Sequence, residues 1–281
     1  MKRKVLLCWL IAGVLLGCKQ VKPTVFDNPE DEETEEEMVD EQTAEEERDD
    51  LISEEPMPLA AEELFDDFLF NFASNKHLQV ERIHFPLIVK SEAKNDTIGL
   101  DEWQMDHFFM HNEEYTLIFN NEQDMELVKD TSVNEAIVEK IFLDQSFVRQ
   151  YLFSRHQGHW MLNEVHHQTL SHNPNAAFLS FYRQFVTDST FQKKSLSSEI
   201  EFCGSDPDDE MEQMEGVITP DFWDAFAPEL PHGTIYNIVY GRHSSDSDER
   251  IFVLRGIANG LEVEMTFHCA NGHWLLKKLR E

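Results

Sequence analysis

The apolar positions of this chain fall into two related patterns. The spacing Phe-x-x-Phe-x-x-x-Phe occurs at 65–72 and again at 178–185, an offset of 113 residues. Side chains at positions i, i+3 and i+7 lie on one side of a helix. Each stretch therefore predicts an amphipathic helix that buries its phenylalanines.

Alternation of apolar and polar residues in the later part of each pattern predicts antiparallel strands. We expect these strands at Phe147–Phe153, Trp160–Val165, Glu262–Phe267, Trp274–Leu279, Tyr115–Phe119 and Ile235–Tyr240. The dipeptides Gln157-Gly158 and Asn271-Gly272, and the tripeptide Ala258-Asn259-Gly260, predict hairpin turns. Short helices are expected at Asp101–Met110 and Pro220–Phe226.

The ends of the two patterns also match. Tyr151-x-Phe153 followed by Gly158-His159-Trp160-x-Leu162 recurs as Met265-x-Phe267 followed by Gly272-His273-Trp274-x-Leu276, an offset of 114 residues. Two matches at nearly one offset, at opposite ends of a unit, indicate an internal duplication. We therefore expect two modules, residues 60–172 and 173–281.

Each predicted module begins with a helix, continues through a short helix and ends in a curling antiparallel sheet. This order and size resemble the nuclear-transport-factor-2-like α+β fold, in which a curved sheet wraps a helix into a cone. The resemblance implies an α+β chain with two tandem cone-like modules. Members of that fold include isomerases and dehydratases as well as proteins that only bind, so fold alone does not predict function.

The N-terminus has the pattern of a bacterial lipoprotein signal. Lys2-Arg3-Lys4 precedes an apolar run, Val5–Leu16, which is too short to span a bilayer, and Gly17-Cys18 follows it. We expect removal of residues 1–17 and lipidation of Cys18, which anchors the chain to a membrane. The residues just after Cys18 are not acidic. This favours an anchor in the outer membrane with the protein facing the periplasm.

Charge separates the anchor from the modules. Residues 27–55 contain 17 Asp or Glu and one basic residue, Arg48, so we interpret residues 18–59 as a disordered acidic tether. From Pro56 onward the chain has 38 acidic and 17 basic residues, and this balance argues against nucleic-acid binding. A lipobox, an acidic tether and two cone-like modules resemble an uncharacterised Bacteroidetes lipoprotein family.

No catalytic motif or metal-ligand spacing emerges from the sequence, which therefore predicts no cofactor. The candidate pocket-lining residues are Trp103, Tyr115, Trp223, Tyr236, Tyr240, Met265 and Phe267, with packing in the core as the alternative. Cys8 leaves with the signal and Cys18 carries lipid. Cys203 and Cys269 therefore remain, either as a disulfide or as two buried free thiols.

Three functional hypotheses follow. The first is a non-enzymatic envelope lipoprotein whose modules bind an unidentified small molecule or protein partner. The second is a pocket enzyme of the isomerase or dehydratase type in one module. The third is divalent-cation binding by the acidic and histidine-rich regions. A cavity of roughly 300 Å³ or more in either module is the observation that best separates the first two hypotheses.

Overall fold

The computed structural model describes residues 64–112, 114–205, 213–241 and 247–281. The predicted signal peptide, Cys18 and the tether at 18–59 lie outside these residues. All the described residues belong to one compact unit. Among them, no helix is long and apolar enough to cross a membrane.

The first half of the described chain, which ends at residue 172, begins with two helices and continues through six strands. Its elements are α1 (Phe65–Ser74), α2 (Lys76–Glu81), β1 (Ile83–Ser91), β2 (Asn95–Ile98), β3 (Glu114–Phe119), α3 (Glu122–Met125), β4 (Glu135–Phe142), β5 (Phe147–His156) and β6 (His159–Thr169). Short 3-10 turns follow α3 and β6.

The second half repeats this order. Its elements are α4 (Ala176–Thr187), α5 (Ser189–Lys194), β7 (Leu196–Ser205), β8 (Gln213–Ile218), β9 (Thr234–Tyr240), β10 (Glu249–Gly256), β11 (Glu262–Ala270) and β12 (His273–Arg280). The phenylalanine faces predicted from the sequence are buried in α1 and α4. The six strands predicted from alternation are present, and Asn271 and Gly272 turn with positive φ between β11 and β12, as expected of an Asn-Gly hairpin.

Two six-stranded sheets carry the fold, and each contains one strand from the other half. The first sheet has the order β2-β1-β6-β5-β4-β9, and the second has the order β8-β7-β12-β11-β10-β3. Strand β9 therefore pairs with β4, while β3 pairs with β10. The two halves exchange equivalent strands, and the two sheets fit two cone-like modules.

The strand registers of the two sheets match at an offset of 114 residues. Val138 lies opposite Tyr151 in the first sheet, and Phe252 lies opposite Met265 in the second. A register shift after Leu152 recurs after Thr266. Because a β-bulge adds one residue at a defined position, its recurrence fixes which residues of the two halves are equivalent.

The hydrophobic cores are shared between the halves in the same reciprocal way. Ile251 and Val253 of β10 pack into the core around α1. Ile141 and Val148 of the first half pack into the core around α4. Asp66 in the first turn of α1 accepts a 2.5 Å hydrogen bond from the hydroxyl of Tyr240 on β9. Each helix is therefore buried partly by residues of the other half.

The helix predicted at Asp101–Met110 is wrong, because turns and irregular backbone occupy this stretch. The fully buried Gln79 explains the irregular conformation. Its side chain accepts hydrogen bonds from the indole nitrogen of Trp103 and the backbone N–H of Asp106, and it donates to the Asp106 carbonyl. These contacts satisfy backbone groups that a helix would pair internally.

The helix predicted at Pro220–Phe226 is reduced to one 3-10 turn, Trp223–Ala225. Here too an indole meets a glutamine, because Trp223 donates a 3.1 Å hydrogen bond to Gln192. The distance equals the one between Trp103 and Gln79. The two halves thus anchor this segment to their second helix through the same side-chain pair.

Candidate functional site

The first cone contains a cavity of about 470 Å³ at its open end. Its floor is the inner face of the first sheet, and its rim is the irregular segment held by Gln79. The side chains that give it chemical character are Trp103, Asp106, Lys140, Arg149, Tyr151 and His167. This volume exceeds the threshold that separates a filled cone from a small-molecule site.

Strand alternation explains how these groups reach one space. Lys140 on β4 lies opposite Arg149 on β5, and His167 on β6 lies opposite Arg149 on its other side. Side chains of directly opposed residues share one face of a sheet. Tyr151, two residues beyond Arg149, faces the same way.

A hydrogen-bonded chain connects the floor to the rim. The hydroxyl of Tyr151 donates to Oδ2 of Asp106, whose Oδ1 accepts the backbone N–H of Phe108 at 2.8 Å. Nη1 of Arg149 lies 3.4 Å from the Tyr151 hydroxyl, at the long end of hydrogen-bond distances. Nε of Arg149 is buried, and no described residue accepts a hydrogen bond from it.

The floor of the cavity is positively charged, whereas the carboxylates lie at its rim. Among the described residues, no carboxylate lies within salt-bridge distance of Lys140 or Arg149. The Lys140 ammonium group instead lies 5.4 Å from the centroid of the Tyr236 ring, a cation–π contact. Two cations thus face the cavity from its floor. Two carboxylates line its rim: Asp106, which is occupied by Tyr151 and backbone, and Glu102, which accepts a 2.8 Å hydrogen bond from the backbone N–H of Gly99.

Burial sets the protonation of the neighbouring groups. It raises the pKa of Tyr151 and of Tyr236, and the charge of Asp106 raises both further. Burial lowers the pKa of His167, and the Arg149 charge lowers it further. Burial opposes the charge on Arg149, but the Tyr151 hydrogen bond and Asp106 raise its pKa overall. At neutral pH the two tyrosines are therefore neutral hydrogen-bond donors beside a guanidinium group.

The second cone is filled at the equivalent positions. The offset of 114 residues places Leu254 at the position of Lys140, Val263 at that of Arg149, and Met265 at that of Tyr151. All three are buried in the core around α4. The groups that give the first cavity its charge are thus replaced by apolar side chains that close the second cone.

The predicted pocket-lining residues divide between cavity walls and core. Trp103 lines the first cone cavity, while Tyr115 and Tyr236 line a 400 Å³ groove beside β3 and β9. The remaining four are buried core residues and serve packing: Trp223, Tyr240, Met265 and Phe267. Packing in the core, the alternative for every one of these residues, therefore holds for these four.

Sequence reasoning missed Asp106, Lys140, Arg149 and Tyr151. One indication was present in the repeat, because Tyr151-x-Phe153 corresponds to Met265-x-Phe267. A polar residue in one copy that matches an apolar residue in the other marks a place where the copies differ in function. Comparison of the two copies, position by position, would have found the site.

The candidate disulfide between Cys203 and Cys269 is not formed, and both residues are free cysteines. Strand β12 lies between β7 and β11, where Cys203 is opposite Arg280 and Cys269 is opposite Trp274. Those two partners are six residues apart, about 20 Å along a strand. A disulfide needs Cα atoms within about 7 Å.

The histidines do not assemble into a metal centre in the described part of the chain. No group of three or more His, Cys, Asp or Glu residues there has the geometry to hold an ion. The histidines instead occur singly or in pairs, such as His107 and His111, whose rings are 4.4 Å apart. A pair is fewer than the three protein ligands of a catalytic zinc site.

Comparison with known proteins agrees with this architecture. Residues 44–281 match the model of a family described as a domain of unknown function, DUF4348. A nuclear-transport-factor-2-like protein of Bacteroides fragilis NCTC 9343, solved by crystallography, is 36% identical with a TM-score of 0.72. The match covers 80% of this chain and 98% of that one, whereas no curated protein matches. The α+β cone fold expected from the sequence is confirmed.

Proposed function

The chain belongs to the DUF4348 family, and we propose that it is an envelope lipoprotein that binds a small acidic molecule in its first cone. The second cone is the structural partner that completes the first. Binding, rather than catalysis, is the function that the geometry supports best.

The observation that carries this proposal is the pair of cations on the cavity floor. Lys140 and Arg149 lie on adjacent strands and face one space. A ligand carboxylate or phosphate would accept charge-assisted hydrogen bonds from the Lys140 ammonium group and the Arg149 guanidinium group. The rings of Trp103 and Phe108 offer contacts for the body of the ligand.

The matched test replaces each floor residue with its counterpart from the second cone. We expect Arg149→Val and Lys140→Leu to weaken binding of small carboxylates about 10- to 100-fold, since each removes a charge-assisted contact. Both variants should still fold, because the same framework packs Val263 and Leu254 at these positions.

Titration calorimetry on the mature chain, against a panel of aromatic and aliphatic carboxylates, measures the effect. Lys94→Leu is the control, because Lys94 is exposed and pairs with Asp96 outside the cavity. Binding that is unchanged in Arg149→Val, or a panel in which no acidic molecule binds, would contradict the proposal.

A second candidate is a pocket enzyme, favoured by the hydrogen bond between Tyr151 and Asp106. A carboxylate paired with a tyrosine can move a proton to or from a bound substrate. Asp106→Asn separates the two functions. Ligand binding should be unchanged in this variant in either case. Only an enzyme has a catalysed turnover of the ligand, and this variant should abolish it.

The proposed anchor rests on the sequence of residues 1–18. Cys18→Ala should move the protein from the membrane fraction to the soluble fraction and abolish labelling by a radioactive fatty acid. Protease treatment of intact cells then tests the expected periplasmic face, because a periplasmic protein is protected until the outer membrane is opened. Fatty-acid labelling that persists in Cys18→Ala would refute the anchor.

A further inference from the structure

A second and larger cavity, of about 620 Å³, lies on the opposite face of the first sheet. Its floor is made of alternate residues of β4 and β5, such as Ile137 and Leu152, which point away from the cone. Its walls are the segment Asn173–Asn175, which leads into α4, and Ile118 of β3 in the second sheet. We call this space the interhalf cavity because both sheets enclose it.

Glu139 lies at the floor of the interhalf cavity and is 2% exposed. Three side-chain amides donate to its carboxylate: Gln150 at 2.8 Å, Asn173 at 2.7 Å and Asn237 at 2.8 Å. In the described part of the chain it forms no salt bridge, and no Lys, Arg or His lines the cavity. The carboxylate is therefore held by neutral donors alone.

The fold itself does not require this buried acid. The offset of 114 residues places Val253 at the position of Glu139 in the second sheet, and Val253 packs fully buried in an apolar core. Strand pairing likewise matches Asn237 of β9 with the apolar Leu117 of β3. The same architecture thus accepts apolar residues at both positions, so the polar network is a property of one copy.

The remaining walls combine apolar side chains with polar ones such as Asn120, Ser154 and Asn163. Ile118, Ile137, Leu152, Pro174 and Val239 contribute carbon surface around the acid. Two further glutamates line the cavity, and one of them, Glu164, is neutralised by Lys90 at 2.6 Å. A cavity of this volume, with carbon surface around one buried charge, fits a largely apolar ligand that carries one group of opposite charge.

We propose that the interhalf cavity is a binding site for a small apolar molecule that carries one amine, with Glu139 as its counter-charge. An ammonium group beside Glu139 converts an isolated buried carboxylate into a hydrogen-bonded ion pair. The negative charge of the whole chain raises the local concentration of such cations. This site is separate from the first cone and does not depend on the function proposed for it.

The test compares three probes with one apolar body: octylamine, octanol and octanoate. Calorimetric titration of the mature chain at physiological salt should show one saturable site for octylamine. Octanol should bind this site at least about 10-fold more weakly. Octanoate, which the first cone is proposed to bind, should not compete with octylamine, because only the amine pairs with the carboxylate. A chain that binds none of the three, or binds amine and alcohol equally, overturns the proposal.

Variants locate the site. Glu139→Gln keeps a polar side chain among the amides and should remove the preference for the amine. Glu199→Gln, which neutralises an exposed acid on β7, should leave binding unchanged. Amine binding that survives Glu139→Gln reports surface attraction and overturns the proposal.

A second variant keeps the test decisive if Glu139→Gln does not fold. Leu152→Trp enlarges a floor residue of the interhalf cavity without altering the carboxylate or its amides. We expect it to fill the space and reduce octylamine affinity at least 10-fold. Retention of full affinity in a folded Leu152→Trp chain would place the amine elsewhere and refute the site.

Discussion

Asp66 makes the stability of the first cone depend on pH. Its carboxylate lies in the first turn of α1, where the helix dipole favours a negative charge. Burial nevertheless raises its pKa from 3.8 to about 6, while the hydrogen bond from Tyr240 opposes part of this shift. The folded state therefore binds a proton more tightly than the unfolded state does.

The sign and size of the effect follow from this difference. Because the folded pKa is the higher one, stability falls as the pH rises from about 4 through 6 and then levels off. A shift from 3.8 to about 6 corresponds to about 3 kcal/mol of destabilisation above pH 6. Asp66→Asn still accepts the Tyr240 hydrogen bond but carries no charge.

We expect Asp66→Asn to be about 3 kcal/mol more stable than the wild type at pH 7.5, and nearly equal below pH 4. For a domain of this size the gain corresponds to about 6–12 °C in Tm. Urea unfolding at pH 4, 5, 6 and 7.5 measures the difference between the two proteins. Other buried acids, such as Glu139 and Glu264, also have a raised pKa and contribute to both curves, so only that difference is informative.

Asp221→Asn is the control, because Asp221 is exposed and its removal changes the net charge by the same amount. We expect this variant to follow the wild-type curve at every pH. The reasoning from burial would be refuted if the free energy of unfolding depended on pH in the same way in Asp66→Asn and the wild type. It would also be refuted if Asp66→Asn were less stable than the wild type at pH 7.5.

Three further predictions concern the fold. If the chain is divided after residue 172, each half produced alone should lack a compact fold by circular dichroism. The two halves should associate when they are produced together. A half that unfolds cooperatively on its own would contradict the strand exchange. Gln79→Leu should lower the free energy of unfolding in urea by about 3 kcal/mol or more, because several buried polar groups lose their partner. Gln192→Leu should lower it by about 1 kcal/mol. Equal losses in the two variants would contradict this account. Gly272→Ala should lower the free energy of unfolding by about 1–2 kcal/mol, because φ is positive at residue 272. Gly216→Ala is the control, because a Cβ atom added there meets no atom within 4 Å. An unchanged stability of Gly272→Ala would exclude backbone strain at the turn.

The sequence predicted the local elements of this fold well. The phenylalanine spacing gave α1 and α4, and alternation gave the strands, because both patterns depend on neighbours in the chain. The exchange of β3 and β9 was not predictable from such patterns. Both strands are buried on both faces. A short apolar run of this kind has the same pattern whichever strand it pairs with, so the choice between β4 and β10 leaves no local trace.

The candidate site was less predictable for a related reason. Lys140 and Arg149 share their strand faces with buried residues such as Val138 and Tyr151, but a charged residue in a strand predicts exposure to solvent. Only the curvature of the sheet and the segment held by Gln79 enclose them. Glu139 shows the reverse case, because a glutamate in a strand predicts exposure and here lies among three amides. Burial of both kinds is decided by tertiary structure.

The exchange of β3 and β9 also constrains how the gene can change. Deletion of either repeat removes the last strand of the sheet built by the other, so the duplication cannot revert to one copy without loss of the fold. Substitutions in the exchanged strands affect both sheets at once and are restricted for that reason. Residues inside a single cone, such as Tyr151 and Met265, are free to diverge. The pair of copies is therefore inherited as one unit, in which one interior can specialise while the other keeps the structure intact.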